Sequence, residues 1–244
     1  MILYKKVKKI FKKNKNKISL LQKVIETNNH PDFKFIQIGA CDGKYADPLH
    51  QFIKKYNWNG VLVEPIPYYF EQLKKNYEDS SNLIFINKAI SDKNEIRPMY
   101  TINPSGFDVL PEWAKGISSL HLDRNALNEK YWTEGRGRVH LDKGYSYDLI
   151  KPYIKEINVE CITVKKLLEE TKFNSFDLLQ IDAEGHDYTI LKQIDFKKYQ
   201  PKIIHFEYAN LNPDEKILIE DLLRDLGYTL NFHNTNDVLA VKNK

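Results

Sequence analysis

The sequence predicts an α/β fold built on a parallel sheet with helices on both faces. Three observations carry that prediction. Short apolar runs that read as buried strands alternate with helical stretches through most of the chain. Several of those runs end at a glycine or a carboxylate, as strands do where an open α/β sheet presents its chemistry. The 244 residues are 42% hydrophobic and 29% charged, a balance that suits one large domain with a full core.

The elements follow in order. Leu3, Val7, Ile10 and Phe11, then Ile18, Leu21, Val24 and Ile25, fall at helical spacing, so one or two amphipathic helices are expected over residues 1–27. The expected division is a basic helical segment, 1–32, followed by one domain, 33–244. Phe35–Gly39 reads as a buried strand, 47–56 as a helix, and Gly60–Glu64 as a second strand ending in an acid. Pro67 can open a helix through about Tyr77, because its missing N–H is unneeded in a first turn. Leu83–Ala89 is a third strand. Residues 97–160 break the rhythm and are too long for a simple loop, so an inserted lid over the sheet's carboxyl edge, or a purely structural flap, is expected there. Alternation resumes with helix Thr163–Thr171, strand Leu178–Ile181, helix 187–194 and strand Ile203–Glu207. Helix Pro213–Leu226 ends at Gly227, a residue suited to a left-handed cap. Tyr228–Phe232 and Val238–Val241 read as a terminal hairpin.

Charge narrows the partners. The net charge is +4, but residues 1–17 hold eight lysines and no acid. Removing those eight from the 37 Lys and Arg leaves 29 against 33 Asp and Glu, so the remainder is about −4. The basicity therefore belongs to one end, and no nucleic-acid partner is expected. The lysine-rich segment reads either as a helix with a solvated face or as a peripheral contact with an anionic membrane. No apolar run reaches about 18 residues, and the start lacks a secretory pattern. With only Cys41 and Cys161, a disulfide framework is not expected. A cytoplasmic location follows, with the inner membrane face as a second station.

The chemistry concentrates at strand ends. Residues 177–187 read Asp-Leu-Leu-Gln-Ile-Asp-Ala-Glu-Gly-His-Asp: a short apolar run stopped by Asp182, then Glu184, His186 and Asp187. A hydroxyl nucleophile needs a base within hydrogen-bond reach, and Asp182, Glu184 and His186 are candidates. Glu184 could instead answer a helix dipole, and His186 could be a packed core histidine. Gly39-Ala40-Cys41-Asp42-Gly43 follows the first strand, where glycine lets backbone approach a ligand and turn sharply. Its G-x-x-x-G spacing lacks the middle glycine of dinucleotide binders. Glu64 ends the second strand, where a carboxylate can accept hydrogen bonds from ribose hydroxyls or make a structural ion pair. His205 and Glu207 alternate onto one strand face. Glu207 could join Asp182 in a divalent-metal site, bind a substrate hydroxyl or brace a loop.

Taken in order, Phe35–Gly43, Val63-Glu64-Pro65, Asn87–Ser91, Gly116–Leu120, Asp177–Asp187 and Ile203–Glu207 resemble the FkbM family of S-adenosylmethionine-dependent methyltransferases. The resemblance runs from about Phe35 to Glu207. It implies a class I methyltransferase, Rossmann-like sheet: seven strands, mostly parallel, with an antiparallel last strand. It also implies methyl transfer from S-adenosylmethionine to a hydroxyl of a sugar, glycan or glycolipid. Gln37, Gly39, Ala40, Asp42, Gly43, Glu64, Pro65, Ala89, Ile90, Ser119 and Asp182 would then hold the cofactor. Asp182, Glu184, His186 and Glu207 would serve the transfer. Ser118 and Ser119 fit the family's Ser-Ser-Leu, so the insertion would close on the site. There are departures: Gln37 stands where many relatives have an acid, Gln180 where many have Lys, and Cys41 where Asn is common. Two other readings stand beside this one: a non-catalytic, membrane-tethered glycan-binding module, and an NAD-dependent sugar-modifying enzyme, which would lack its glycine fingerprint.

Overall fold

The computed structural model describes residues 19–134, 141, 143–232 and 235–243. The lysine-rich run 1–17, Arg136, Arg138, His140 and His233 lie outside the described residues, and with them the membrane-contact reading. The chain divides into two units, Met1–Pro31 and Asp32–Lys244. In the first, helix Leu20–Asn28 starts at Ser19, whose hydroxyl accepts the Gln22 amide proton at 3.0 Å and satisfies an end group the helix leaves open. No helix among the described residues is long and apolar enough to cross a membrane.

The second unit is built on a seven-stranded sheet. Its strands are β1 (Lys34–Ile38), β2 (Asn59–Val63), β3 (Leu83–Ile86), β7 (Leu178–Ile181), β8 (Ile203–Glu207), β9 (Tyr228–Asn231) and β10 (Asp237–Lys242), in the spatial order β3-β2-β1-β7-β8-β10-β9. The first five in that order run parallel, and β10 lies antiparallel to both β8 and β9. The expected mostly parallel sheet with a reversed last strand is therefore present. Order reverses between β1 and β7, the crevice where such sheets place ligands.

Burial explains why these segments are strands. Every residue of β7 and β8 is buried, as is all but the first of β1 and β2. One face sets Ile36, Ile38, Val61, Val63, Leu179, Ile181, Ile204 and Phe206 against Val164, Leu167, Ile190, Ile219 and Leu223. Those partners come from helices Val164–Thr171, Asp187–Leu191 and Pro213–Asp225. The last begins with a capping box between Asn212 and Glu215, and Gly227 follows it at φ +77°.

The expected third strand, Leu83–Ala89, is divided. Residues 83–86 stay in the main sheet, while β4 (Ala89–Ile90) pairs with β6 (Ile154–Ile162) in a second sheet. Asn87 sits at the break and donates through Nδ2 to the Glu64 and Pro65 carbonyls at 2.8 and 3.1 Å. Strand β5 (Glu95–Ile102) runs antiparallel to β6, and these two long strands frame the insertion. Between them a small core gathers around Trp132, which is 1% exposed and donates from Nε1 to the Ala126 carbonyl at 3.0 Å.

Candidate active site

The site forms where β1, β2 and β7 end. Asp182 N–H donates to the Ile38 carbonyl at 2.9 Å, extending the β1–β7 ladder by one step. Gly39 turns out of β1 at φ +81°, and its N–H and that of Ala40 both donate to the Val63 carbonyl at 3.0 Å. A Cβ on residue 39 would lie 1.8 Å from the Asp182 carbonyl oxygen, so only glycine lets the strand ends come this close.

Glu64 is 5% exposed and ties the two neighbouring loops together. Its Oε2 accepts the Cys41 N–H and its Oε1 the Ile66 N–H, each at 2.8 Å. Burial pushes its carboxyl up to about 7, against those two hydrogen bonds, which favour the charged form. Each oxygen keeps a second acceptor position.

A cavity of about 350 Å³ opens here. Gln37, Gly39, Ala40, Glu64, Pro65, Ala89, Ile90, Asp182, Glu184, His186 and Glu207 line it, so most of the residues singled out in the sequence come together. Three sit behind its wall. Asp42 Oδ1 accepts the Lys44 and Tyr45 amide protons at 2.9 and 2.7 Å. Gly43 packs against Leu73 and Tyr77. Ser119 is fully buried; its hydroxyl donates to the Glu184 carbonyl at 2.7 Å and accepts the His121 N–H at 3.0 Å.

Asp182 keeps surface open because it faces the cavity, yet protein crowds it from the other sides. The crowding governs its proton affinity, tempered by cavity water. Burial, then Asp237 and Asp47, push its carboxyl up to about 7. Asp187 is fully buried, and burial followed by Asp182 holds its carboxyl well above the usual range. Its Oδ1 accepts the Glu207 N–H at 3.2 Å.

Glu184 takes a left-handed conformation, φ +48°. Its Oε2 accepts from Nδ2 of Asn125 and of Asn210, both at 2.6 Å. Asn210 Nδ2 also donates to Glu207 Oε1 at 2.7 Å. Ligand oxygens of Asp182, Glu184 and Glu207 come within 4.8 Å of one another. Amide protons already point at the Glu184 and Glu207 oxygens, where a cation would have to compete with them. We read Glu184 and Glu207 as a clamp hydrogen-bonded through Asn210, with Asp182 beside it, and assign no ion to the three.

Residues 37–230 match the family described as "Methyltransferase FkbM domain". The chain belongs to the FkbM methyltransferase family. No curated protein matches it. Methyltransferase FkbM from Methylobacillus flagellatus KT, a solved structure, superposes with a TM-score of 0.52 at 11% identity, over 91% of this chain and 46% of that one. The chain thus spans under half of that protein's length, and at this identity the likeness speaks for fold alone. Precorrin-6y C5,15-methyltransferase from Geobacter metallireducens GS-15 superposes at 0.41 with 12% identity, over 90% of this chain and 86% of that one. The TehB-like SAM-dependent methyltransferase from Corynebacterium glutamicum gives 0.39 and 8%, over 99% and 96%. The sheet order with its one reversed strand is the class I methyltransferase fold.

Gln37 and Gln180 are register partners on adjacent strands. His205 continues the row, its Nδ1 lying 2.6 Å from Gln180 Oε1. The third departure, Cys41, sits at φ +47° with its thiol pushed up by burial and by Glu64, so it stays protonated.

Sequence reasoning missed Tyr69, His121, Asn125, Asn210 and Asp47. Tyr69 is 4% exposed, lines the cavity, and its hydroxyl has no hydrogen-bond partner among the described residues. Its only sequence signal is its place in the first turn of the helix after Glu64-Pro65. Asp47 accepts the Leu49 and His50 amide protons at 2.7 and 3.3 Å, a helix-entry acid recognisable from its spacing.

Proposed function

We propose that the protein is an S-adenosylmethionine-dependent O-methyltransferase acting on a hydroxyl of a sugar, glycan or glycolipid. The observation that carries the reading is the conjunction of Gly39, Glu64 and Asp182 at three adjacent strand ends around one cavity.

The lining fits this cofactor. Gly39 lets the ends of β1 and β7 close on each other, so backbone rather than a side chain lines the cavity there. Glu64 keeps acceptor positions for two ribose hydroxyls, and the Tyr69 hydroxyl offers one more polar contact. Six acidic side chains line the cavity, from Asp47, Glu64, Asp182, Glu184, Glu207 and Asp237, against Lys88 and Lys115, and a bound cation would favour their charged forms. A cationic ligand is favoured in that field. When bound, the cofactor supplies a methyl carbon on a positively charged sulfur. The chain's part is to align the acceptor oxygen with that carbon and exclude water, which accounts for much of the acceleration in such displacements. Trp113, from the insertion, and Tyr45 line the same cavity and offer apolar ring surface with polar groups beside it, a mixture suited to a sugar. The lysine-rich segment 1–17 would bring the enzyme to an anionic inner membrane face, where a glycolipid acceptor would sit.

Isothermal titration calorimetry with S-adenosylhomocysteine, with NAD in parallel, tests the reading. Micromolar binding of the first alone supports it and justifies a screen of sugar hydroxyls as acceptors. Binding of NAD alone would overturn it, and binding of neither would favour a non-catalytic module.

A further inference from the structure

His121 and His186 meet across the junction between the insertion and the loop after β7. His121 Nε2 lies 2.8 Å from His186 Nδ1, with ring centroids 5.0 Å apart. His186 is 4% exposed and lines the cavity, and its Nε2 has no hydrogen-bond partner among the described residues. His121 is partly exposed, which opens the far end of the pair towards solvent. The alignment is held from three sides. The Ser119 hydroxyl fixes the His121 amide and the Glu184 carbonyl together. Asn125 joins the insertion to Glu184. Arg124 grips Glu215 through Nη1 at 2.5 Å and Nη2 at 3.3 Å.

We propose that His121 and His186 form a proton relay that carries the acceptor's hydroxyl proton out of the cavity to solvent. This rests on the methyl-transfer reading. The 2.8 Å contact requires one ring to donate and the other to accept. With His186 Nδ1–H donating to His121 Nε2, a bare lone pair remains on His186 Nε2. As the acceptor oxygen forms its bond to the methyl carbon, the sulfur–carbon pair returns to sulfur, leaving a neutral thioether. The hydroxyl proton passes to His186 Nε2, the Nδ1 proton passes to His121 Nε2, and His121 Nδ1 releases its proton to water. After product leaves the pair resets by the reverse hop: solvent water returns a proton to His121 Nδ1, the His121 Nε2 proton passes back to His186 Nδ1, and the Nε2 proton of His186 goes to water entering the cavity.

The electrostatics agree with a relay rather than a proton store. Burial and then His121 lower His186 to about 3, and burial and then Arg124 lower His121, so both rings begin neutral. His186 would be the catalytic residue and His121 its positioning residue, so the insertion supplies half of the proton path.

Two measurements decide the proposal. Long-range proton–nitrogen spectra of the wild-type imidazoles at pH 7, with S-adenosylhomocysteine bound, should show His186 neutral and hydrogen-bonded to His121. A cationic His186, or rings that do not share a hydrogen bond, would overturn it. With an acceptor from the hydroxyl screen, His186→Gln should lower kcat about 100-fold or more at unchanged cofactor affinity. His121→Ala should lower kcat about 10-fold and recover with imidazole added to the medium, which a purely structural role would not permit. Turnover within 2-fold of wild type in both variants sinks the relay while leaving the methyltransferase reading intact. Wild-type protein that binds no S-adenosylhomocysteine sinks that reading instead, and the same spectra recorded without it still decide whether the histidine pair exists.

Discussion

Gly39 and Asp182 meet where the two central strands end, so close that a Cβ on residue 39 would lie 1.8 Å from the Asp182 carbonyl oxygen. That approach sets the cavity floor, because both residues line it. Gly39→Ala should cost about 3 kcal/mol or more, since the new side chain meets backbone that cannot swing aside and φ +81° is unfavourable for alanine. Thermal unfolding should show a Tm lower by about 6 °C or more. A Tm within 1 °C of wild type would show that the strand ends are not in contact in solution.

Glu64 provides a pH dependence. Its carboxylate accepts hydroxyl protons more strongly than its neutral form does, and its pKa lies at about 7. Affinity for S-adenosylhomocysteine should therefore rise from pH 6 to pH 8, and a pH-independent affinity would remove Glu64 from ribose recognition. Glu64→Ala should weaken binding at pH 8 by about 10- to 100-fold, the loss of one or two hydrogen bonds to a charged group.

Asp182 trades stability for its place in the cavity. Its pKa rises from 3.8 to about 7, so the stabilisation of its neutral form is complete below pH 3.8 and is lost as pH climbs through 7. Asp182→Asn removes that charge without removing a side-chain hydrogen bond seen here. At pH 8 the variant should melt about 2–4 °C above wild type, a gain discounted for cavity water, with the difference shrinking towards pH 5. Turnover should fall sharply at the same time. Equal melting temperatures at pH 8 and near-normal turnover would together remove Asp182 from the site's electrostatics.

Tyr69 brings a hydroxyl to the cavity that nothing else satisfies among the described residues. Tyr69→Phe should leave Tm within 1 °C, or raise it slightly, while weakening S-adenosylhomocysteine binding by about 3- to 10-fold. Unchanged affinity in calorimetry would mean that the ligand does not reach this hydroxyl.

The Arg124–Glu215 pair anchors the insertion, with side chains only 17% and 16% exposed. Arg124→Ala should lower Tm by about 3–8 °C, because Glu215 loses a bidentate partner in a half-buried setting. Limited proteolysis should cut sooner within residues 103–153. An unchanged cleavage pattern would locate the anchoring elsewhere, in Asn125 and Ser119.

Strand ends were legible because the physics there is local. Each of β1, β2 and β7 is a short apolar run stopped by Gly39, Glu64 or Asp182, and burial on both faces demands such runs. The reversal of β10 was legible as a hairpin signal across residues 233–237 of the sequence, and β9 and β10 pair antiparallel. The split of Leu83–Ala89 was not, because both halves are apolar and only the pull of β6 on Ala89–Ile90 separates them. Glu184 shows the same limit. In the sequence it is one more acid beside a candidate base; in the fold two asparagine amides occupy its carboxylate.

The sequence by itself determined the sheet, the family resemblance and the cluster of Gly39, Glu64 and Asp182, because periodicity and strand-terminal residues act over a few neighbours. Tertiary structure alone decided the contacts that join distant segments: Asn125 to Glu184 across 59 residues, Asn210 to Glu184 across 26, and His121 to His186 across 65. It also placed Gln37 and Gln180 opposite each other on neighbouring strands. No local pattern encodes such pairs. They exist because packing the insertion and the loop after β8 against the loop after β7 brings polar groups together where water is scarce, and each must then find its partner in another segment.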